Sequence, residues 1–192
     1  MRIILASGSP RRKELLSTLI KDFEIIVSDF EETIDSSNPL EEEIKRLAYG
    51  KAKSVFTNNQ DALVIGSDTI VTIDNKVLGK PKTFEHAIEM LKELSGNKHK
   101  VITGVCIYTK DKVDTFAVVS DVYFDELSDK EIEDYVLTKE PLDKAGAYAI
   151  QGLGSKFINK IDGDYYAIMG LPVNELYKHL KQYNLTSIYL FV

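Results

Sequence analysis

Apolar positions open the chain as a run, Ile3-Ile4-Leu5-Ala6, and then change period. After the turn Ser7-Gly8-Ser9, residues Leu15, Leu16, Leu19 and Ile20 recur at helical spacing. The pattern predicts a strand over Arg2–Ala6 and a helix over Pro10–Ile20. Ser9 serves as N-cap and Pro10 takes the first helical position, where its missing N–H costs nothing. Further strands are expected at Phe23–Val27, Ala62–Ser67, Thr69–Asp74 and Lys76–Leu78, the last two joined by a hairpin turn at Asp74-Asn75. Val101–Thr109 and Val113–Phe124, rich in Val, Ile and aromatics, read as a second hairpin turned at Lys110-Asp111-Lys112. Ala147–Ile150, Lys156–Ile161 and Tyr165–Ile168 read as later strands. Helices are expected at Leu40–Phe56, Phe84–Leu94, Asp129–Leu137 and Pro172–Tyr183. Thr83 caps the first turn of Phe84–Leu94 and Gly96 ends it, while Ser128 and Glu131 form a capping-box pair. Gly50, inside the second helix, should cost about 1 kcal/mol relative to Ala. The order of elements, α/β units first and hairpins after, predicts an α/β fold. Its mixed sheet carries helices on its faces, unlike a uniform parallel sheet.

Composition narrows the class. The 192 residues, 44% hydrophobic and 28% charged, suffice for one sizeable core or two intimate lobes, so residues 1–192 are read as a single domain. A formal charge of -6 and a pI near 5.2 argue against nucleic acid as a main partner, which would want a basic face. The single cysteine, Cys106, excludes an intramolecular disulfide framework and fits a reducing compartment; its apolar strand marks it as core filler. The N-terminal apolar run is too short for a signal peptide, and no stretch approaches a membrane span. A cytoplasmic setting without a membrane partner is the expectation.

Six places could carry chemistry. In Ser7-Gly8-Ser9-Pro10-Arg11-Arg12-Lys13, three cations and two hydroxyls gather at a helix N-terminus, where the dipole and free N–H groups favour an anion such as a phosphate. Cations are out of place in a first helical turn and call for a nearby acid or an anionic ligand. Lys51 lies beside the apolar stripe Ile44, Leu47, Ala48, Ala52 and Val55, so it either snorkels to water or serves a buried anion. Asp68 falls between two strand-like runs, where a carboxylate is costly unless paired, metal-bound or at a strand end facing a cleft. Lys80, in Gly79-Lys80-Pro81, could act as a phosphate point charge, and the acidic pair Glu31-Glu32 could offer hard oxygen donors to Mg²⁺. Gln151 stands in a glycine-rich stretch, Ala149-Ile150-Gln151-Gly152-Leu153-Gly154. Its amide both donates and accepts, as the edge of a uracil or thymine requires. His86, His99 and His179 lack metal-ligand spacing, and Asp162-Gly163-Asp164 reads as a hairpin turn.

Taken together, these segments resemble the Maf family of nucleoside triphosphate pyrophosphatases. The resemblance rests on Leu5-Ala6-Ser7-Gly8-Ser9-Pro10-Arg11-Arg12, Gly66-Ser67-Asp68-Thr69-Ile70-Val71, Gly79-Lys80-Pro81, Leu94-Ser95-Gly96 and Thr103-Gly104-Val105. It continues through Glu140-Pro141-Leu142-Asp143-Lys144-Ala145-Gly146-Ala147-Tyr148, Ile150-Gln151-Gly152 and Gly170-Leu171-Pro172. It implies two α/β lobes around a cleft, related to inosine triphosphate pyrophosphatases and often dimeric. It also implies hydrolysis of a nucleoside triphosphate to monophosphate and pyrophosphate with Mg²⁺ or Mn²⁺, which keeps unwanted nucleotides from incorporation. By position, Asp68 matches the catalytic acid group described as proton acceptor. Ser7, Ser9, Arg12, Lys51 and Lys80 match the phosphate-binding set, and Glu32 with Asp68 the metal set. Arg11, Thr69 and Gln151 resemble the specificity markers of the dTTP/UTP branch.

Two features depart from the pattern: Tyr49-Gly50 before Lys51, which suggests a less regular helix there, and the tail 185–192, which could add an edge strand or a dimer contact. Two rival functions are a non-catalytic nucleotide sensor regulating septum formation and a pyrophosphatase of inosine or 7-methyl-guanosine triphosphates. Canonical and modified pyrimidine substrates are left undivided.

Overall fold

The computed structural model describes residues 1–183 and 185. The elements run β1 (Arg2–Leu5), α1 (Pro10–Ser17), β2 (Glu24–Ile25), α2 (Leu40–Phe56), β3 (Ala62–Ile73), β4 (Lys76–Leu78), α3 (Phe84–Leu94), β5 (Lys98–Tyr108), β6 (Val113–Phe124), α4 (Asp129–Leu137), β7 (Ile158–Asp162), α5 (Tyr165–Met169) and α6 (Val173–Leu180). Seven strands form one mixed sheet in the order β2-β1-β3-β5-β6-β7, with β4 paired to β3. β1 pairs in parallel with β2 and β3, whereas β3–β4 and β6–β7 are antiparallel. The expected mixed α/β fold is therefore present. Among the described residues no helix is long and apolar enough to cross a membrane. The chain divides into two compact units.

The first unit comprises Met1–Asp68, Thr103–Val118 and the described residues from Gly170 on. Its core joins Ile4 and Ala6 to Ala48, Ala52 and Val55 of α2, Ala62 and Val64 of β3, and Cys106. Burial pushes the Cys106 thiol up to about 12, so it is inert packing, as its apolar strand implied. α1 stops at Ser17 rather than Ile20. There the Ser17 and Thr18 hydroxyls bond back to the Glu14 and Leu15 carbonyls. α6 is held to β6 by His179, whose Nδ1 lies 2.7 Å from Asp114 Oδ2 and whose ring stacks on Phe116. The expectation for 185–192 falls outside the described residues, Leu185 excepted.

The second unit comprises Thr69–Ile102 and Val119–Met169. Asp74 and Asn75 both adopt positive φ (47° and 64°), the geometry a two-residue hairpin loop demands, so the β3–β4 turn stands where expected. β5 starts three residues early because Lys98 and Lys100 point outward to Asp121 while His99 points in. Two expected strands are corrected. Ala147–Ile150 is an irregular stretch following a short 3-10 turn, because Gly146 and Ala147 take positive φ and Ala149 N–H donates to the Tyr135 hydroxyl rather than to a neighbouring strand. Tyr165–Ile168 is helical, because the Asp164 carboxylate accepts from Tyr166 N–H and Ala167 N–H and acts as an N-cap. Asp162-Gly163-Asp164 is accordingly a strand-to-helix turn.

The packing of this unit centres on aromatic rings. His99 meets Phe124 and Tyr148 edge-on at 5.1 and 5.3 Å, and its Nε2 lies 2.8 Å from the Tyr148 hydroxyl. Burial pushes the His99 pKa down to about 4 from an ordinary 6.5, so the folded chain holds the imidazole neutral. Between these two values the unfolded chain binds the extra proton. Stability is therefore highest above pH 6.5, falls as pH drops toward 4, and levels off for this group below that, by about 3 kcal/mol in all. Urea midpoints measured across that range should decline with acidification, and the decline should shrink in His99→Gln; an equal decline in both proteins would exclude His99 as its source.

Candidate active site

The site is built on β3. Its twelve residues are buried on both faces apart from half-buried Thr69, as a central strand requires. Asp68 sits inside this strand and not at its end, which corrects the expected break between Ser67 and Thr69. A carboxylate there needs charge partners, and α2 supplies one. The helix approaches so closely at Gly66 that a Cβ on that residue would lie 2.4 Å from the Ala48 carbonyl and 2.8 Å from Ala52 N. The approach lays Lys51 across the strand, its Nζ 2.9 Å from Asp68 Oδ1. Both side chains are buried, at 9% and 11% exposure. Lys51 thus does not snorkel to water; it serves a buried anion.

The same ammonium reaches Glu32 Oε1 at 2.7 Å. Glu32 is exposed and lies outside any helix or strand, so its position depends on anchors to either side. Upstream, the Phe30 ring rests on Gly50, where a Cβ would fall 2.4 Å from Cζ; Phe30 N–H donates to Ser28 Oγ, itself 2.8 Å from Ser54 Oγ on α2. Downstream, the Thr33 carbonyl accepts from Arg46 at 2.5 Å, and Arg46 is clamped by Glu43, whose carboxyl it holds down at about 2. Tyr49-Gly50 therefore does not disrupt α2, which runs unbroken from Leu40 to Phe56. Gly50 is the seat that lets the Glu32 segment lie against the helix.

The turn after β1 supplies the remaining charge. Ser9 caps α1, its Oγ accepting from Arg12 N–H, and Ser7 Oγ accepts from Ser9 N–H. Lys13 N–H bonds the Ser9 carbonyl. The amides of Ser9, Arg12 and Lys13 are thus engaged within the turn itself. Arg12 donates through Nε to the Gly170 carbonyl (2.8 Å) and through a terminal nitrogen to Ser7 Oγ (3.3 Å), with its other nitrogen 3.9 Å from Asp68 Oδ1. Burial lowers the Arg12 pKa, while Asp68 and Glu32 act in the opposite sense. The nearby acid that a basic first turn calls for is Asp68. Ser67 was not singled out in the sequence, yet its buried hydroxyl donates to the same Gly170 carbonyl at 3.0 Å. The hints were the two motifs that contain these residues, Gly66-Ser67-Asp68-Thr69 and Gly170-Leu171-Pro172.

Ser7, Ser9, Arg12, Glu32, Lys51 and Asp68 thus come together in the first unit, with half-buried Arg11 next to Arg12. Thr69, Lys80 and Gln151 belong to the second unit, where Lys80 and Gln151 are exposed. Among the described residues no group of three or more His, Cys, Asp or Glu could hold a metal by itself. The pair Glu32 and Asp68 nevertheless converges on one positive centre, the Lys51 ammonium, and is made of the hard oxygen donors that Mg²⁺ prefers. Such a pair fits a divalent ion whose shell is completed by water and phosphate oxygens.

A family model described as Maf-like protein matches residues 2–183. Proteins named dTTP/UTP pyrophosphatase from Bacillus cereus (strain AH820) and Bacillus anthracis (strain CDC 684 / NRRL 3495) are each 53% identical to this chain over 184 residues, covering 96% of both partners. One of the same name from Bacillus cereus (strain ATCC 10987 / NRS 248) is 52% identical over 184 residues, covering 96% of this chain and 91% of its own.

The seat at Gly50 is testable apart from chemistry. Gly50→Ala should leave global stability within about 1 kcal/mol, since a better helix former offsets the lost seat of one ring. Phe30 would be displaced, and amide exchange across residues 28–34 should rise by roughly tenfold while that of α2 holds. Unchanged exchange in the segment would show that Gly50 does not anchor it.

Proposed function

The chain belongs to the Maf family, and we propose that it is a pyrophosphatase of dTTP and UTP, releasing pyrophosphate and the nucleoside monophosphate. The observation that carries this reading is the 53% identity to relatives of that name across 96% of both chains. The charge cluster on β3 supports it independently, because it collects phosphate-binding chemistry around one buried carboxylate.

In this reading the triphosphate lies on the Ser7–Arg12 turn. Ser7 and Ser9 hydroxyls bind its oxygens, and Arg12, Lys51 and Lys80 offset its charge. Asp68 accepts the proton of the water that attacks the α-phosphorus, and the P–O bond to the β-phosphate breaks. Lys51, 2.9 Å from Asp68 Oδ1, holds that carboxylate in place. Arg12 is fixed by the Gly170 carbonyl and Ser7, so it meets developing charge without reorganising. Glu32 and Asp68 would hold Mg²⁺ or Mn²⁺, which when bound supplies charge stabilisation to the phosphate oxygens. Arg11, Thr69 and Gln151 select the base. The Gln151 amide matches the adjacent donor and acceptor of uracil and thymine, whereas a carboxylate there would suit the donor-rich edge of guanine.

The test is pyrophosphate release from dTTP, UTP, CTP, dITP, GTP and 7-methyl-GTP with Mg²⁺ or Mn²⁺. Turnover should favour dTTP and UTP, and Asp68→Asn should lower kcat by about 10²–10⁴ with triphosphate binding largely kept. An Asp68→Asn protein within tenfold of the parent would remove the proton-acceptor role, and faster turnover of dITP or 7-methyl-GTP would replace the pyrimidine reading. Gln151→Glu should abolish turnover of dTTP and UTP while folding normally; unaltered pyrimidine selectivity would refute base reading by this amide.

A further inference from the structure

A glutamine amide is an ambiguous reader. Its two ends have nearly the same shape, and turning it over exchanges donor for acceptor. The uracil edge presents N–H beside C=O, and cytosine presents the reverse. Gln151 can therefore separate UTP from CTP only if its orientation is fixed. The residue is exposed and sits in a stretch without regular structure, so the order must come from the backbone around it.

That backbone is held from both sides by half-buried Glu140 and buried Tyr135. Glu140 Oε1 accepts from Leu153 N–H at 3.0 Å, and Oε2 accepts from Gly154 N–H at 3.0 Å and from the Tyr135 hydroxyl at 2.7 Å. The Tyr135 oxygen in turn accepts from Ala149 N–H at 3.2 Å. Residues on both flanks of Gln151 are thus tied to a single carboxylate–phenol pair. The approach is close enough that a Cβ on Gly152 would lie 2.3 Å from Glu140 Oε1. Tyr135 is itself fixed edge-on against Phe157 at 5.1 Å, its side chain wholly buried. Burial alone would raise the Glu140 carboxyl, yet its donors outweigh that and hold it below the ordinary range. Glu140 is therefore an ionised acceptor with three donors in place.

We infer that Glu140, acting with Tyr135, is a positioning residue that orients Gln151 and so sets the discrimination between uracil and cytosine triphosphates. The inference rests on the reading of Gln151 as the base-selecting amide. Glu140→Gln places an amide NH₂ against one of the loop N–H donors. Tyr135→Phe removes only the hydroxyl. Neither residue is assigned to the phosphate or proton-transfer chemistry.

The experiment measures kcat and KM for UTP, dTTP and CTP with Mg²⁺ in the full chain, for the parent, Glu140→Gln, Tyr135→Phe and Gln151→Ala. It is accompanied by amide exchange at Leu153 and Gly154. The expected result is a fall of roughly tenfold in the UTP-to-CTP ratio of kcat/KM for Glu140→Gln, the effect of setting a donor against a donor at a charged hydrogen bond. The change should lie mainly in KM, with faster exchange of both amides, and a smaller fall in the same direction should appear for Tyr135→Phe. A common loss for all three substrates, or an unchanged ratio, while Gln151→Ala collapses it, would overturn the positioning role and leave base reading by Gln151 standing. An unchanged ratio in Gln151→Ala would overturn base reading itself and the inference with it. Should Glu140→Gln fail to fold, Tyr135→Phe decides the question by the same ratio.

Discussion

The site depends on one lysine ammonium taken out of water and held between two carboxylates. Lys51 bridges Asp68 and Glu32 at 2.9 and 2.7 Å, with its side chain only 9% exposed. A buried charge of this kind is tolerable only when paired, and removing one member of such a set leaves the other costly. The interaction constrains the first unit in several ways. α2 must lie close on β3, which Gly66 permits, and the Glu32 segment must return to α2, which Phe30 on Gly50 achieves. Arg12 must also stand near Asp68 without displacing Lys51. Its bonds to the Gly170 carbonyl and Ser7 fix it at 3.9 Å from that carboxylate.

The elements were largely legible because their signals are local. Apolar period places α2, and capping residues together with it place α3 and α4, at the expected bounds, with Ser128 and Glu131 completing the capping box by both of its bonds. One error falls where a distant side chain replaces a local partner, the other where a neighbouring cap outweighs composition. Ala147–Ile150 has strand-like composition, but its Ala149 amide is claimed by Tyr135, fourteen residues upstream. Tyr165–Ile168 is aromatic and apolar like a strand, yet the adjacent Asp164 carboxylate caps its amides.

The site was legible to a different depth. Residue types and order pointed to Ser7, Ser9, Arg12, Glu32, Lys51 and Asp68, and the first unit brings these six together. Periodicity could not show how they are held. Ser67 reads as one more residue of an apolar strand, and its bond to Gly170 spans 103 positions. Gly50 looked like a defect because helix propensity counts only what a glycine lacks, while its use lies in the ring of Phe30 that rests on it. In the same way the sequence could not show what the glycines around Gln151 accommodate. At Gly152 the atom that forbids a side chain belongs to Glu140.

The charge balance of the cluster bears on the proposed metal. Arg12 and Lys51 carry two positive charges, and Glu32 and Asp68 carry two negative ones, so the set as it stands is neutral. A neutral cluster in a chain of net charge -6 gives a triphosphate little long-range attraction. It also cannot offset a polyanion while both cations are spent on carboxylates. Were a divalent cation held by the proposed pair Glu32 and Asp68, it would supply positive charge to the site, and Lys51 and Arg12 would be open to phosphate. Glu32 would then do more than hold a metal. Glu32 already pairs with Lys51 at 2.7 Å, and an exchange of that partner would link cation binding to anion binding. The exposure of Glu32 beside two buried partners agrees with that division of labour, because the group that must change partner is the one that water already reaches.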